Sequence, residues 1–322
     1  MHNSLTDIPG LKVGHWTDLE AVTGCTVVLC PAGAVAGVDV RGTAPGTREI
    51  ALLNPICMIE QVHAVVLSGG SAFGLAAADG VMRWLEAQEI GFDTGVAKVP
   101  IVPAAILFDL GVGSPAVRPD AQAGYAACEA ASQGPVALGN VGAGTGASVG
   151  KVLGFEYATK TGLGSASQTV TGQVLVAALV ALNAFGEVYE PLSRRIIAGP
   201  RRPDGTFADT VEVMKGRASS QPNNFVSGTN TTLAVIATNA RLSKSEATKV
   251  AQMAHDGLAR TIRPIHTHLD GDTIFTLSCG QETAEVSLLG TVAADVLAEA
   301  VISAVKNADS LAGLPAAGQI FS

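Results

Sequence analysis

One segment limits what this chain can fold into more than any other. Thr231-Thr232-Leu233-Ala234-Val235-Ile236-Ala237-Thr238-Asn239 is a β-branched, apolar run that reads as a buried strand. It begins abruptly. The residues before it, Ser219 to Asn230, are polar and rich in breakers and read as a flexible connector. A buried strand needs partners along its edges, so this run has to sit inside a sheet.

A threonine marks the boundary. If the chain is cut between Asn230 and Thr231, that threonine carries a free α-amine beside its own hydroxyl. A nucleophile and its general base then lie on one residue. A threonine hydroxyl is a poor nucleophile near neutrality, whereas an α-amine, with an ordinary pKa of roughly 7.7–8.0, can take its proton. The same hydroxyl can attack the Asn230 carbonyl, move the acyl group from N to O, and leave an ester for water to open. The plain alternative is a loop-to-strand junction that happens to hold Thr.

Composition narrows the class. The chain has 322 residues, 48% of them hydrophobic and 15% charged. Aromatics are only 4%, so the core has to be built from Ala, Val, Leu and Ile. The length suits one large domain or two small ones, and the balance is that of a compact globular protein. The net charge of −8, with no basic stripe, argues against nucleic acid as a partner. The first ten residues lack the basic and apolar regions of a secretory signal, and no uninterrupted apolar run reaches about 18 residues, so no membrane span is expected. Cys25, Cys30, Cys57, Cys128 and Cys279 are odd in number, dispersed and mostly in apolar contexts, which reads as buried thiols in a reducing compartment, by default the cytoplasm.

Strand and helix signals alternate. Thr26–Leu29, Ala64–Leu67, Val174–Ala184 and Asp272–Leu277 read as strands. Leu75–Glu89, Asp120–Ser132 and Thr291–Val305 read as helices, and Ser243-Lys244-Ser245-Glu246 is a capping box that opens another, running to about Leu258. This order predicts an α/β fold of α+β type: a layered αββα sandwich, two stacked sheets covered by helices.

Three motifs carry chemistry in more than one reading. The stretch from Gly139 to Lys151 looks like a phosphate cradle but fails the Walker A spacing, because Val152 stands where Ser or Thr is required. It reads either as a tight loop or as a loop that brings Lys151 and backbone N–H groups to a site. Ser68-Gly69-Gly70-Ser71-Ala72-Phe73-Gly74 lacks the closing glycine of a nucleophile elbow and reads as a strand-to-helix turn. In His266-Thr267-His268-Leu269-Asp270-Gly271-Asp272, alternation places His266, His268, Asp270 and Asp272 on one face of an extended segment. They can hold a metal ion, tune a nucleophile and its amine, or form a solvated turn.

Together the motifs resemble the L-aminopeptidase/D-esterase family of self-processing peptidases, which includes β-peptidyl aminopeptidases and endo-type nylon-oligomer hydrolases. The resemblance lies in Gly14-His15, Val38-Asp39-Val40-Arg41-Gly42 with Pro45-Gly46-Thr47, and Leu67-Ser68-Gly69-Gly70-Ser71-Ala72-Phe73-Gly74-Leu75. It continues in Gly142-Ala143-Gly144-Thr145-Gly146-Ala147, Gly150-Lys151, Asn230-Thr231-Thr232, Ala237-Thr238-Asn239 and Asp270-Gly271-Asp272-Thr273. Asn-Thr-Thr at the junction is most similar to the nylon-oligomer branch.

The resemblance implies one domain over residues 1–322, processed into 1–230 and 231–322. It implies Thr231 as nucleophile, Asn230 as the residue before the cut, Asn183 as oxyanion donor, Lys151 near the nucleophile, and Asp270 and Asp272 as acids on the new hydroxyl and amine. It implies no cofactor, no metal, a homo-oligomer (a tetramer of α/β pairs), and small peptide or amide substrates, with ω-amino-acid (6-aminohexanoate) oligomers as a variant. Phe108 stands where relatives have a tyrosine, and a phenylalanine side chain donates no hydrogen bond. Either Asn183 and backbone groups then form the oxyanion hole, or activity and substrate differ. Two other readings stay open: acyl transfer to an amine, as in ornithine acetyltransferases, and a non-catalytic protein that binds a metal through His266, His268, Asp270 and Asp272.

Overall fold

The computed structural model describes residues 1–218 and 230–320. The connector Ser219–Thr229 lies outside them. Among the described residues, nine strands join into one mixed sheet: β1 Lys12–Asp18, β2 Thr23–Val40, β3 Gly46–Arg48, β4 Gln61–Ser68, β5 Ala104–Ile106, β6 Leu163–Thr171, β7 Val174–Asn183, β8 Thr231–Ala240 and β9 Thr273–Glu282. Their order is β6-β7-β8-β9-β2-β4-β5-β3, with β1 paired to β2. The main helices are α1 Ala77–Ala87, α2 Ala121–Glu129, α3 Lys244–Thr261 and α4 Val286–Lys306.

The long strand β2 turns this single ladder into two stacked layers. Its first half pairs with β4 and its last residues pair with β9. The register against β4 shifts between Leu29 and Ala34, where Pro31 and the left-handed Gly33 interrupt the pleat. Alternation then separates three cores. Leu233, Val235 and Ala237 of β8 meet Ala177, Leu179 and Ala181 of β7 and Val65 and Leu67 of β4 in the central core. Ala234 and Ile236, the intervening residues, pack under α3 and α4. On the far side Val27, Leu29, Ala64 and Val66 pack under α1 and α2. The arrangement is αββα, with the two β layers continuous through β2. Each fully buried Leu, Ile or Val stabilises the fold by roughly 1.5–3 kcal/mol.

The sequence signals land on these elements. Ser243 caps α3 and accepts from the Glu246 N–H, while Glu246 accepts in return from the Ser243 N–H. Asp120 caps α2 through the Gln122 and Ala123 N–H groups. α4 is long and apolar enough to cross a membrane, yet most of it is buried against α3, β6 and β7. The five cysteines are free thiols, and burial pushes those of Cys25, Cys128 and Cys279 up to about 12.

Candidate active site

β7 and β8 run antiparallel, and the register sets Asn183 directly opposite Thr231. Both share the parity of the residues that face the central core, so both side chains point into that layer. β8 and β9 run parallel, which brings the turn before β9 beside the start of β8. There Asn230 and Asp270 form a parallel bridge. The site therefore lies at the N-terminal ends of two parallel strands, and Asn230, Thr231, Asn183, Lys151, Asp270 and Asp272 are all buried in it.

The peptide between Asn230 and Thr231 is held on both sides of its carbonyl. The Thr231 hydroxyl donates to the Asn230 carbonyl oxygen at 2.5 Å, and the Gly271 N–H donates to the same oxygen at 3.0 Å. The second contact is a backbone donor placed where negative charge develops if the hydroxyl attacks that carbonyl. Gly271 has to be glycine here: a Cβ on it would lie 2.8 Å from the Thr231 Oγ1 and 2.6 Å from the Ala44 carbonyl oxygen. Sequence reasoning did not single out Gly271. Its only signal was a glycine between two acids, which a solvated turn shows equally well.

The acids are buried and engaged. Asp270 accepts from the Thr267 N–H at 2.9 Å, the Thr267 hydroxyl at 2.5 Å and the Phe185 N–H at 3.3 Å. Burial, with Asp272 close by, pushes its carboxyl up to about 6. Asp272 accepts from the Thr232 N–H at 2.7 Å through one oxygen. Its other oxygen takes the His266 N–H at 3.2 Å and Nδ1 at 2.8 Å. In the continuous chain Asp270 thus contacts the turn and not the Thr231 hydroxyl, and Asp272 contacts the amide one residue beyond Thr231.

Asn183 has a fixed orientation. Its Oδ1 accepts from the Ser148 N–H at 3.1 Å and from Lys151 Nζ at 2.7 Å, so its Nδ2 is the donor end and reaches the Phe108 carbonyl at 3.0 Å. One N–H of that amide serves Phe108, which leaves one hydrogen for a second acceptor. The Phe108 backbone thus orients Asn183 even though its ring donates nothing. Lys151 also donates to the Asn183 carbonyl at 3.1 Å. Burial pulls its amine down to about 7, against the opposing pull of Asp270. The Gly139–Lys151 loop is what delivers Ser148 and Lys151 to Asn183.

The acidic cluster departs from the one-face expectation. His266 adopts φ +57°, which breaks the extended alternation. His268 turns outward, where its ring and carbonyl meet the Thr43 hydroxyl. The four side chains therefore do not converge: Asp270 and Asp272 take N–H and O–H donors, and His268 lies apart. Among the described residues no group of three or more His, Cys, Asp or Glu has the arrangement of a metal site.

Known proteins share this fold and sequence. The profile of Peptidase family S58 matches residues 3–317. An uncharacterized aminopeptidase of Mycobacterium tuberculosis is 44% identical, with 99% of this chain and 98% of that protein covered. A 6-aminohexanoate-oligomer endohydrolase of Kocuria sp. is 33% identical over 93% of this chain and 85% of its own. Among solved structures, a Burkholderia sp. β-aminopeptidase superposes with a TM-score of 0.72 at 22% identity, covering 100% of this chain and 93% of its own. The L-aminopeptidase D-Ala-esterase/amidase of Ochrobactrum anthropi, described as a variant of the Ntn hydrolase fold, superposes with a TM-score of 0.70 at 21% identity over 96% and 87% of the two chains. With the sequence match running almost from end to end and the layered fold in common, this chain belongs to Peptidase family S58.

Proposed function

We propose that this protein is a self-processing N-terminal-nucleophile hydrolase that cuts itself between Asn230 and Thr231 and then uses Thr231 on amide bonds. Family membership makes it a peptide-bond hydrolase. The observation that carries the rest is the Asn230 carbonyl, held between the Thr231 hydroxyl and the Gly271 N–H. In the maturation step the Thr231 oxygen bonds to the Asn230 carbonyl carbon, and the C–N bond then breaks. The acyl group moves to oxygen, the nitrogen becomes the Thr231 α-amine, and water opens the ester. Before the cut that nitrogen is an amide and accepts no proton. Lys151, tied to Asn183 directly across the strand pair from Thr231 and with its amine pulled down to about 7, is the proposed acceptor of the hydroxyl proton at that stage.

In the mature enzyme the new amine takes over as base. Thr231 attacks the substrate carbonyl, the free N–H of Asn183 stabilises the oxyanion, and water releases the acyl-enzyme. An oxyanion donor of this kind contributes on the order of 3 kcal/mol. Short peptides, amino-acid amides and esters are the proposed substrates, given aminopeptidase relatives at 44% identity. The 6-aminohexanoate-oligomer endohydrolases among the relatives extend the set to ω-amino-acid oligomers. The free thiols support a reducing, cytoplasmic setting. A homo-oligomer, with a tetramer as the proposal, suits a chain that is 48% hydrophobic.

The test compares wild type with Thr231→Ala on amino-acid anilides, short peptides and 6-aminohexanoate oligomers. The expected loss is on the order of 10⁴-fold or more, with no self-cleavage. A cleaved, active Thr231→Ala protein would contradict the proposal.

A further inference from the structure

His266 is the one residue of the site whose backbone is strained and whose ring reaches a reacting acid. Its φ of +57° lies in the left-handed region, which favours glycine and asparagine over a side chain such as histidine. That conformation aims two donors at a single oxygen. The backbone N–H (3.2 Å) and Nδ1 (2.8 Å) both meet Asp272 Oδ2. Only Oδ1 is left to face the start of β8, and it does so through the Thr232 N–H. The protonation pattern of the ring follows from its contacts. Nδ1 meets a carboxylate oxygen and is therefore the donor end of the ring.

A second histidine holds the ring in place. His255 of α3 packs edge-on against it, with ring centroids 4.7 Å apart and planes at 77°. His255 Nε2 faces the Asp39 carbonyl at 3.3 Å and its carboxylate at 3.4 Å. Asp39 is paired with Arg41 at 2.8 Å, and the Arg41 N–H donates to the Asp272 carbonyl at 3.0 Å. Asp272 is therefore gripped at both its side chain and its backbone by one array that runs through β2 and α3.

We infer that His266 is a positioning residue of the hydrolase site, fixing the Asp272 carboxylate with one oxygen turned to the start of β8, where the cut chain presents its new α-amine. This rests on the self-processing reading above. His266 touches no substrate. It acts by denying Asp272 other rotamers, so its loss shows in the chemical step and not in substrate binding.

His266→Gly and His266→Asn make the test. Both residues are at home at this φ, so both keep the backbone. Asn retains an N–H at the place of Nδ1, and Gly does not. Self-cleavage by intact mass, kcat and KM on an amino-acid anilide, and Tm are measured for each. In His266→Gly, kcat is expected to fall about 10- to 100-fold with KM within about threefold, the scale of losing a hydrogen bond that orients a reacting group. His266→Asn is expected to recover kcat to within about fivefold of wild type, which a purely structural role does not predict. A His266→Gly enzyme with wild-type kcat, or an Asn variant as impaired as the Gly variant, overturns the inference while the hydrolase reading stands. A wild type that neither cuts itself nor hydrolyses overturns the hydrolase reading and the role of His266 with it.

Discussion

Two lysines lie buried in one stretch of chain, and their surroundings differ in kind. Lys151 donates to the side chain and carbonyl of Asn183, directly across the strand pair from Thr231. Lys160 is fully buried too, but it donates to three backbone carbonyls, those of Gly144, Ala147 and Thr161. Burial pulls both amines down to about 7. A buried, shifted amine is therefore no mark of a site by itself. What separates the two is the partner: Lys151 is tied to the side chain proposed as the oxyanion donor, while Lys160 ties the Gly144–Ala147 loop to Thr161. Lys160 builds the loop that Lys151 uses.

Paired substitutions test that difference most severely. Lys151→Met is expected to lower hydrolysis by about 100-fold or more, because Asn183 Oδ1 loses one of its two donors and the site loses the proposed proton acceptor. Lys160→Met removes an amine shared by three carbonyls: those of Gly144 and Ala147 keep the Ala147 and Thr161 N–H donors, and that of Thr161 loses its donor. The substitution is expected to cost about 1–3 kcal/mol of stability while activity per folded molecule stays within about threefold. Activity and thermal unfolding of both purified variants decide the matter. Equal activity losses would erase the distinction between site and scaffold.

A smaller effect separates the placement of the hydroxyl from charge. Gly271→Ala puts a methyl group against the Thr231 Oγ1 and the Ala44 carbonyl. Self-cleavage is expected to slow about tenfold as the hydroxyl is displaced, read as the fraction of uncut chain over time. An unchanged time course would remove Gly271 from maturation.

The smallest effect is on stability against pH. Between about 7 and the ordinary lysine value, the unfolded chain binds more protons at Lys151 and Lys160 than the folded chain does, so their contribution to stability rises with pH. Asp270 acts oppositely at lower pH. Its carboxyl is raised to about 6, the folded chain holds the proton longer, and stability falls as pH rises from about 4 to 6. Wild type is expected to melt a few degrees higher at pH 9 than at pH 6.5, with the raised thiols of Cys25, Cys128 and Cys279 opposing part of that gain above about pH 8, and Lys160→Met to flatten the difference. A melting temperature that falls from pH 6.5 to 9 would contradict the buried-amine account.

Local chemistry wrote some of this fold plainly into the sequence. The Ser243–Glu246 capping box and the apolar run Val174–Ala184 act within their own segments, and both stand as read, with Val174–Asn183 the strand itself. Other elements were hidden by tertiary reasons. β2 runs well beyond the Thr26–Leu29 segment, past Pro31 and Gly33, because a shift in register absorbs them. β6 is short on strand formers because α4 lies on it: a Cβ at Gly164 would meet the Ala300 carbonyl oxygen at 2.1 Å. At the site, the resemblance named Asn183 and Thr231, but only the strand register shows them opposite each other. The roles of His266 and Gly271 depend on a left-handed backbone and a passing N–H, and residue type encodes neither.

The most direct test of the account is the intact mass of the purified protein under denaturing conditions, with N-terminal sequencing of any fragment. Scaled by length, the 32.5 kDa chain is expected to give pieces of roughly 23 and 9 kDa. The smaller should begin Thr231-Thr232-Leu233. A chain that stays whole after prolonged incubation, or one cut at another bond, would contradict Thr231 as the nucleophile that self-cleavage creates.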